Sequence, residues 1–241
     1  MGPLILALDD SVATVALDRP DNGNRIDAEM SDALSDACRL IVVDDRLRLV
    51  IITANGDVFS IDESADGTSG TSISAVAALA IPVLVAMNGD ATGTGLELAL
   101  AADLRICVPS ARFGFPGLQQ GMVPQNGGTQ RLPRLVGPAW ARDMLLTRRM
   151  VDANEALAIG LVNRVSDDIK GMSAEIAAQI TGGSPIGARY AKEAVNKGLD
   201  LTLEQGLGLE ADLNVILQST SDRVEGLKSF LEKRGPEFTG A

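Results

Sequence analysis

The sequence predicts an α/β fold, on three observations. Two continuous apolar runs, LRLVIITA (47–54) and PVLVAM (82–87), have the length and all-round hydrophobicity of buried parallel strands. Ahead of them, Met30, Leu34, Ala37, Cys38 and Ile41 recur at helical spacing. Aromatic residues make up only 3% of the chain, so the core must be assembled from Ala, Val, Ile and Leu, as where helices pack on sheets.

Taken in order, LILALDDSVATVALD (3–17) reads as two short strands joined at the Asp-Asp-Ser turn, with Val12, Thr14 and Ala16 alternating. Asp27 stands where the following helix needs an N-cap. Between the two buried strands, SADGTSGTSIS (64–74) is small and polar, the composition of a surface loop serving as lid or as simple linker. From about residue 139 the strand signal fades, leaving LVNRV as the one short candidate. Helical patterns follow at about 139–147, 153–159, 171–182, 186–197, 202–218 and 221–233. The last two are amphipathic through Leu213, Ile216 and Leu217, then Val224, Leu227 and Leu231, a face that must cover the chain's own core or a neighbouring subunit.

Composition removes several function classes. A formal charge of −11 over 241 residues disfavours a general nucleic-acid or anionic-membrane surface, which needs clustered Lys and Arg. The chain has no histidine, which excludes an intrachain Ser-His-Asp triad, a Cys-His pair and any imidazole-held metal. Proton transfer at neutral pH therefore falls mainly to the carboxylates, of which there are 32. Cys38 and Cys107 are far apart and read as buried apolar residues of a reducing compartment. The first residues lack a basic segment leading into a long apolar run, so no membrane span and a cytoplasmic location are expected. GTGLEL is not a dinucleotide-binding glycine motif, no Gly-Lys-Ser/Thr follows any glycine loop, and GTSGT lacks the closing glycine of a nucleophile elbow.

GTGLELALAADLRI (93–106) then poses the functional question, because Glu97 is the one charge entering a run of leucines and alanines. An acid in the first turn of a helix is commonly a partner of the helix dipole. Burial beside Leu96, Leu98 and Ala99 equally suits general acid–base work.

Three longer segments carry more. They are VFSIDES after one buried strand, PVLVAMNGDATGTGLELALAADLRI after the next, and ARFGFPGLQQGMVPQNGGTQRLPRLVG beyond. With LDRPDNGNRID before them and ANEALAIGLVNRV and SDRVEGLKSFLEKRGPEFTG after, they resemble the crotonase (enoyl-CoA hydratase/isomerase) superfamily over nearly the whole chain. The resemblance implies a crotonase-like spiral of ββα units over residues 1–185 and a C-terminal helical region, 186–241, that mediates trimer contacts. It further implies a homotrimer or homohexamer acting on an acyl-CoA thioester, with no metal or redox cofactor, coenzyme A being part of the substrate.

Such chemistry depends on stabilising negative charge at the thioester oxygen with preorganised donors, each worth about 10²–10³ in rate. By resemblance the donors are the backbone N–H groups of Glu63 and Thr94, beside the Gly93 turn. Ile61 and Asp62 replace a usual Ala-Gly, and Thr94 replaces a usual glycine or alanine. Glu97 falls on one of the family's two catalytic glutamates. The second is absent: Gly117 takes its place in FGFPG, and Gln125 stands where some isomerases carry an acid. Arg25 and Lys233 are candidate contacts to the CoA phosphates, and Ile61, Gly93, Gly117 and Gln125 are expected to border the acyl group. Hydration of an enoyl-CoA is the leading expectation. Double-bond migration, decarboxylation and non-catalytic acyl-CoA binding remain as alternatives.

Overall fold

The computed structural model describes residues 2–62 and 71–241. The chain opens with strands β1 (Leu4–Asp9) and β2 (Val12–Leu17), helix α1 (Ala28–Val42), strand β3 (Leu49–Ala54), helix α2 (Thr71–Ala77) and strand β4 (Val83–Met87). Strand β5 (Ala91–Thr92) leads into helix α3 (Thr94–Leu100), strands β6 (Leu104–Cys107) and β7 (Arg112–Gly114) and helix α4 (Gly128–Thr147). Strand β8 (Val151–Asp152), helix α5 (Ala153–Ala158) and strand β9 (Arg164–Val165) close the mixed part. Helices α6 (Ile169–Thr181), α7 (Pro185–Gly198), α8 (Leu203–Gln218) and α9 (Ser221–Glu232) complete the chain.

One sheet has the order β1-β2-β3-β4-β6-β9 and a smaller one the order β5-β7-β8. Only the β1–β2 hairpin is antiparallel in the larger sheet. Its central strands are covered on both faces, which is why they read as unbroken apolar runs. Val50, Ile52, Val83 and Val85 face the main core with Met30 and Leu34 of α1. Leu49, Leu84, Ala86 and Ile106 point the other way and meet Ile176 of α6. The period of two along a strand produces this division, and the β3–β4 register, Val50 opposite Val83, keeps it continuous.

The expected N-cap is present: the Asp27 side chain accepts the Met30 N–H at 3.0 Å. Three elements differ from expectation. The helix expected from about 139 begins at Gly128, because glycines at its start and Pro133 and Pro138 within it dilute the helical signal. It is kinked at Gly137, whose φ of 79° is not helical. Residues 71–74, expected in a polar loop, form the start of α2, with Ser72 and Ile73 buried; the rest of that loop lies outside the described residues. Strand β8 is too short to leave a periodic signal.

The C-terminal tail is tied back onto this frame. Arg48 donates to the carbonyls of Thr181 (2.9 Å) and Phe238 (2.6 Å). Buried Asp222 accepts the Ser184 hydroxyl at 2.8 Å and the N–H groups of Thr239 and Gly240 at 3.1 and 3.0 Å. No helix of the described residues is long and apolar enough to cross a membrane.

Cys38 and Cys107 are both free and buried, as expected. Burial pushes their thiols up, to about 11 and about 12 respectively. The thiolate is thus disfavoured only in the folded chain. The stability these groups contribute is complete below the ordinary thiol value of about 8.5. It is lost as pH climbs through 11 and 12. The melting temperature is expected to fall progressively above pH of about 9, and the Cys38→Ala, Cys107→Ala double variant is expected to fall less steeply. Parallel alkaline profiles for the two proteins would refute this.

Candidate active site

The site begins at the turn between β5 and α3. Gly93 holds φ 53°, ψ −124°, and its N–H donates to the Gly114 carbonyl at 3.1 Å. A Cβ at this position would lie 2.6 Å from the Asp62 carbonyl oxygen, so both the backbone angle and the close approach require glycine. Two residues on, a Cβ at Gly95 would stand 2.3 Å from the Ser60 carbonyl oxygen. Segment 59–62 therefore lies directly against the start of α3. It is fastened there by the Thr92 N–H to Ser60 O bond (3.0 Å) and the Asp62 N–H to Thr92 Oγ1 bond (3.1 Å). Gly95→Ala is expected to force these segments apart and destabilise the fold by about 1–3 kcal/mol, which a shift in thermal unfolding would register.

Thr94 is the first residue of α3 and Glu97 the fourth, so the two share a helix face. The earliest intrahelical bond is Glu97 N–H to Gly93 O at 3.0 Å, and the Thr94 N–H precedes it. Thr94 lies outside the left-handed region, in keeping with a non-glycine residue there. Its hydroxyl donates to Asp62 Oδ2 at 2.9 Å, while Asp62 Oδ1 lies 3.5 Å from Arg25 Nε. The two departures, at 62 and 94, are thus bonded to each other, and the added negative charge has a guanidinium beside it.

Arg25 reaches this place because the preceding turn is fixed. The buried Asn24 side-chain amide donates to the carbonyls of Asn55 (2.8 Å) and Val58 (3.1 Å), and the Asn24 main-chain carbonyl accepts the Ser60 hydroxyl at 2.9 Å. Ile61 packs over Gly23, and its N–H donates to the Gly23 carbonyl at 2.9 Å.

Glu97 is 2% exposed. Its Oε1 accepts the backbone N–H groups of Asn126 (2.7 Å) and Gly128 (2.8 Å), and its Oε2 accepts Asn126 Nδ2 at 3.1 Å. The apolar surroundings suggested by its sequence neighbours are therefore interrupted by a polar shell contributed from the 126–128 turn. Gly128 is the first residue of α4, and the N-cap Gly127 has no side chain to offer, so Glu97 caps α4 from across the structure. Arg131 Nη1 donates to the Asn126 carbonyl at 2.7 Å. Burial lowers the Arg131 guanidinium's pKa, and the charge of Glu97 opposes that shift. At the other end of α3, buried Arg105 donates to the carbonyls of Ala102 (2.6 Å) and Ala99 (3.4 Å), although burial brings its pKa down to about 10.

The remaining expected positions are more scattered. Gly117 lies in a 3-10 turn, Pro116–Gln120, and the space its side chain would enter is bounded by Met122, whose Cε would be 3.0 Å from a Cβ. The space that a side chain at Gly117 would take is thus partly filled by a thioether. Gln125 is exposed beside the 126–128 turn, and Lys233 is the exposed left-handed C-cap of α9. Glu63 lies outside the described residues. Asn126 was not expected at all: an amide before Gly-Gly reads as ordinary turn composition.

A mixed α/β spiral with a buried glutamate on the first turn of a glycine-preceded helix defines the crotonase class of fold, and comparison with known proteins agrees. The sequence model described as Enoyl-CoA hydratase/isomerase matches residues 8–241, and the chain belongs to that family of enzymes. The crotonyl-CoA hydratase of Syntrophomonas wolfei is 34% identical, covering 98% of this chain and 97% of the relative. The mouse mitochondrial protein named enoyl-CoA hydratase domain-containing protein 2 is 32% identical, covering 95% of this chain and 84% of its own. The crystal structure of an enoyl-CoA hydratase from Bacillus anthracis superposes with a TM-score of 0.94 at 32% identity, over 99% of this chain and 100% of that one.

Proposed function

We propose that the protein hydrates a 2-enoyl-CoA thioester, with Glu97 as its acid–base residue and the backbone N–H groups of Glu63 and Thr94 as donors to the thioester oxygen. The observation that carries this reading is the setting of Glu97. Its carboxylate is buried, fixed by three N–H donors and placed one helical turn beyond Thr94 on the same face. In the reaction a water oxygen bonds to the β-carbon, the double-bond electron pair moves onto the α-carbon and thioester oxygen, and the water's proton passes to Glu97. Glu97 then delivers that proton to the α-carbon, so one carboxyl group serves both halves. The same shuttle without water moves a double bond, and Gly117, which leaves the site without a second acid from that turn, favours this as the second reading.

Exposed apolar side chains on α8 and α9, among them Leu207, Val215, Val224, Leu227, Phe230 and Leu231, support assembly into a homotrimer or homohexamer. Two buried free thiols suit a reducing compartment such as the cytoplasm. No metal or redox group enters the scheme. The reaction class is tested by mass spectrometry of 2-enoyl, 3-enoyl and malonyl-type CoA thioesters incubated with the enzyme in heavy water. Water gain by the 2-enoyl thioester supports hydration, a shifted double bond the isomerase, CO₂ loss a decarboxylase. Failure of every thioester to react or take up deuterium refutes catalysis.

A further inference from the structure

Asn126 is held against Glu97 through two of its donors, and one of its atoms is left over. Its backbone N–H reaches Glu97 Oε1 at 2.7 Å and its Nδ2 reaches Oε2 at 3.1 Å. A carboxylate accepts and an amide nitrogen donates, so the end of the amide facing Glu97 is fixed as the NH₂. The carbonyl end, Oδ1, therefore points elsewhere. It is buried, in a side chain only 9% exposed, and has no hydrogen-bond partner among the described residues. A buried carbonyl oxygen left unpaired is costly, and native interiors keep one mainly where water or a ligand supplies the donor. Among the described residues Glu97 Oε2 accepts one hydrogen bond, and it has a second lone pair to offer. A water that donates to both acceptors would satisfy each of them.

We infer that Asn126 holds the nucleophilic water of the proposed hydratase, as partner of Glu97 and in place of the acid that Gly117 does not supply. The inference rests on the hydratase reading. The water donates one hydrogen to Glu97 Oε2 and the other to Asn126 Oδ1. As its oxygen bonds to the β-carbon, the first hydrogen leaves as a proton to Glu97 and goes on to the α-carbon. The second stays on the new hydroxyl group, and Asn126 exchanges no proton.

Two reactions of the same enzyme separate this role from a structural one. Hydration of crotonyl-CoA needs the bound water, whereas exchange of the α-protons of butyryl-CoA in heavy water needs Glu97 and the oxyanion donors alone. Asn126→Ala keeps the backbone N–H on Glu97 but removes the Nδ2 donor to Oε2, a loss that weighs on both reactions alike. It is expected to lower kcat for hydration by about 10–10²-fold more than it lowers α-proton exchange, with KM within about twofold of wild type. The retained exchange also reports that the variant is folded. Hydration left unchanged, or hydration and exchange falling by the same factor, overturns the role of Asn126. A wild-type enzyme that exchanges α-protons but hydrates nothing overturns it too, and one that does neither overturns the hydratase reading itself.

Discussion

Glu97→Gln will lose hydration and α-proton exchange together, by about 10²–10⁴-fold, the usual worth of a positioned acid–base group. The amide is nearly the same size and keeps one acceptor oxygen, but it cannot carry a proton between water and carbon. The substitution is not silent for folding. Three N–H groups converge on the carboxylate, two on Oε1 and one on Oε2. An amide nitrogen at either position would face a donor with another donor. One buried N–H is left unsatisfied, at a cost of about 1–3 kcal/mol, so a lower melting temperature is expected alongside the kinetic loss. Both are measurable on one preparation, by deuterium uptake in heavy water and by thermal unfolding. A variant that is less stable yet turns over within threefold of wild type would show that Glu97 serves only as the cap of α4.

Gly117→Glu will raise hydration, by about 10²-fold, if the missing second acid is what limits the reaction. The backbone at Gly117 lies outside the left-handed region, so a side chain meets no conformational penalty there. The nearest atom to its Cβ is Met122 Cε at 3.0 Å, the far end of an unbranched chain that can swing aside. Gly117→Glu combined with Met122→Ala clears the remaining obstruction and is expected to match or exceed the single variant. Rates unchanged in both proteins would mean that the carboxyl group is not limiting, and that the site works as a one-acid centre by construction.

The fold could be read where one kind of signal was undiluted. β3 and β4 are apolar on both faces because both are covered, and α1 shows its period and its cap together in Asp27 and the Met30–Ile41 series. The first half of α4 was hidden because its glycines and prolines are loop residues by local propensity, and its stability comes from outside, in part from a carboxylate distant in sequence. The site divides along the same line. Glu97 stands out as a charge among leucines, and its family motif marks it further. The neighbour of Arg25 could not be read, since Asp62 reaches it only through the folding of segment 59–62 onto the Asn24 turn. Asn126 left no trace, because an unpartnered oxygen is a property of the folded arrangement and not of composition.

The clamp between Glu97 and the start of α4 has a consequence for descent. A lineage that gave up thioester chemistry would be free to shed an acid from a half-buried 3-10 turn, as at Gly117, but selection for folding alone would go on keeping the glutamate that closes a helix end. In relatives of this chain, loss of activity should be recorded first in the turns around Gly117 and Gln125 and last at Glu97, so an intact glutamate there dates the architecture rather than the reaction.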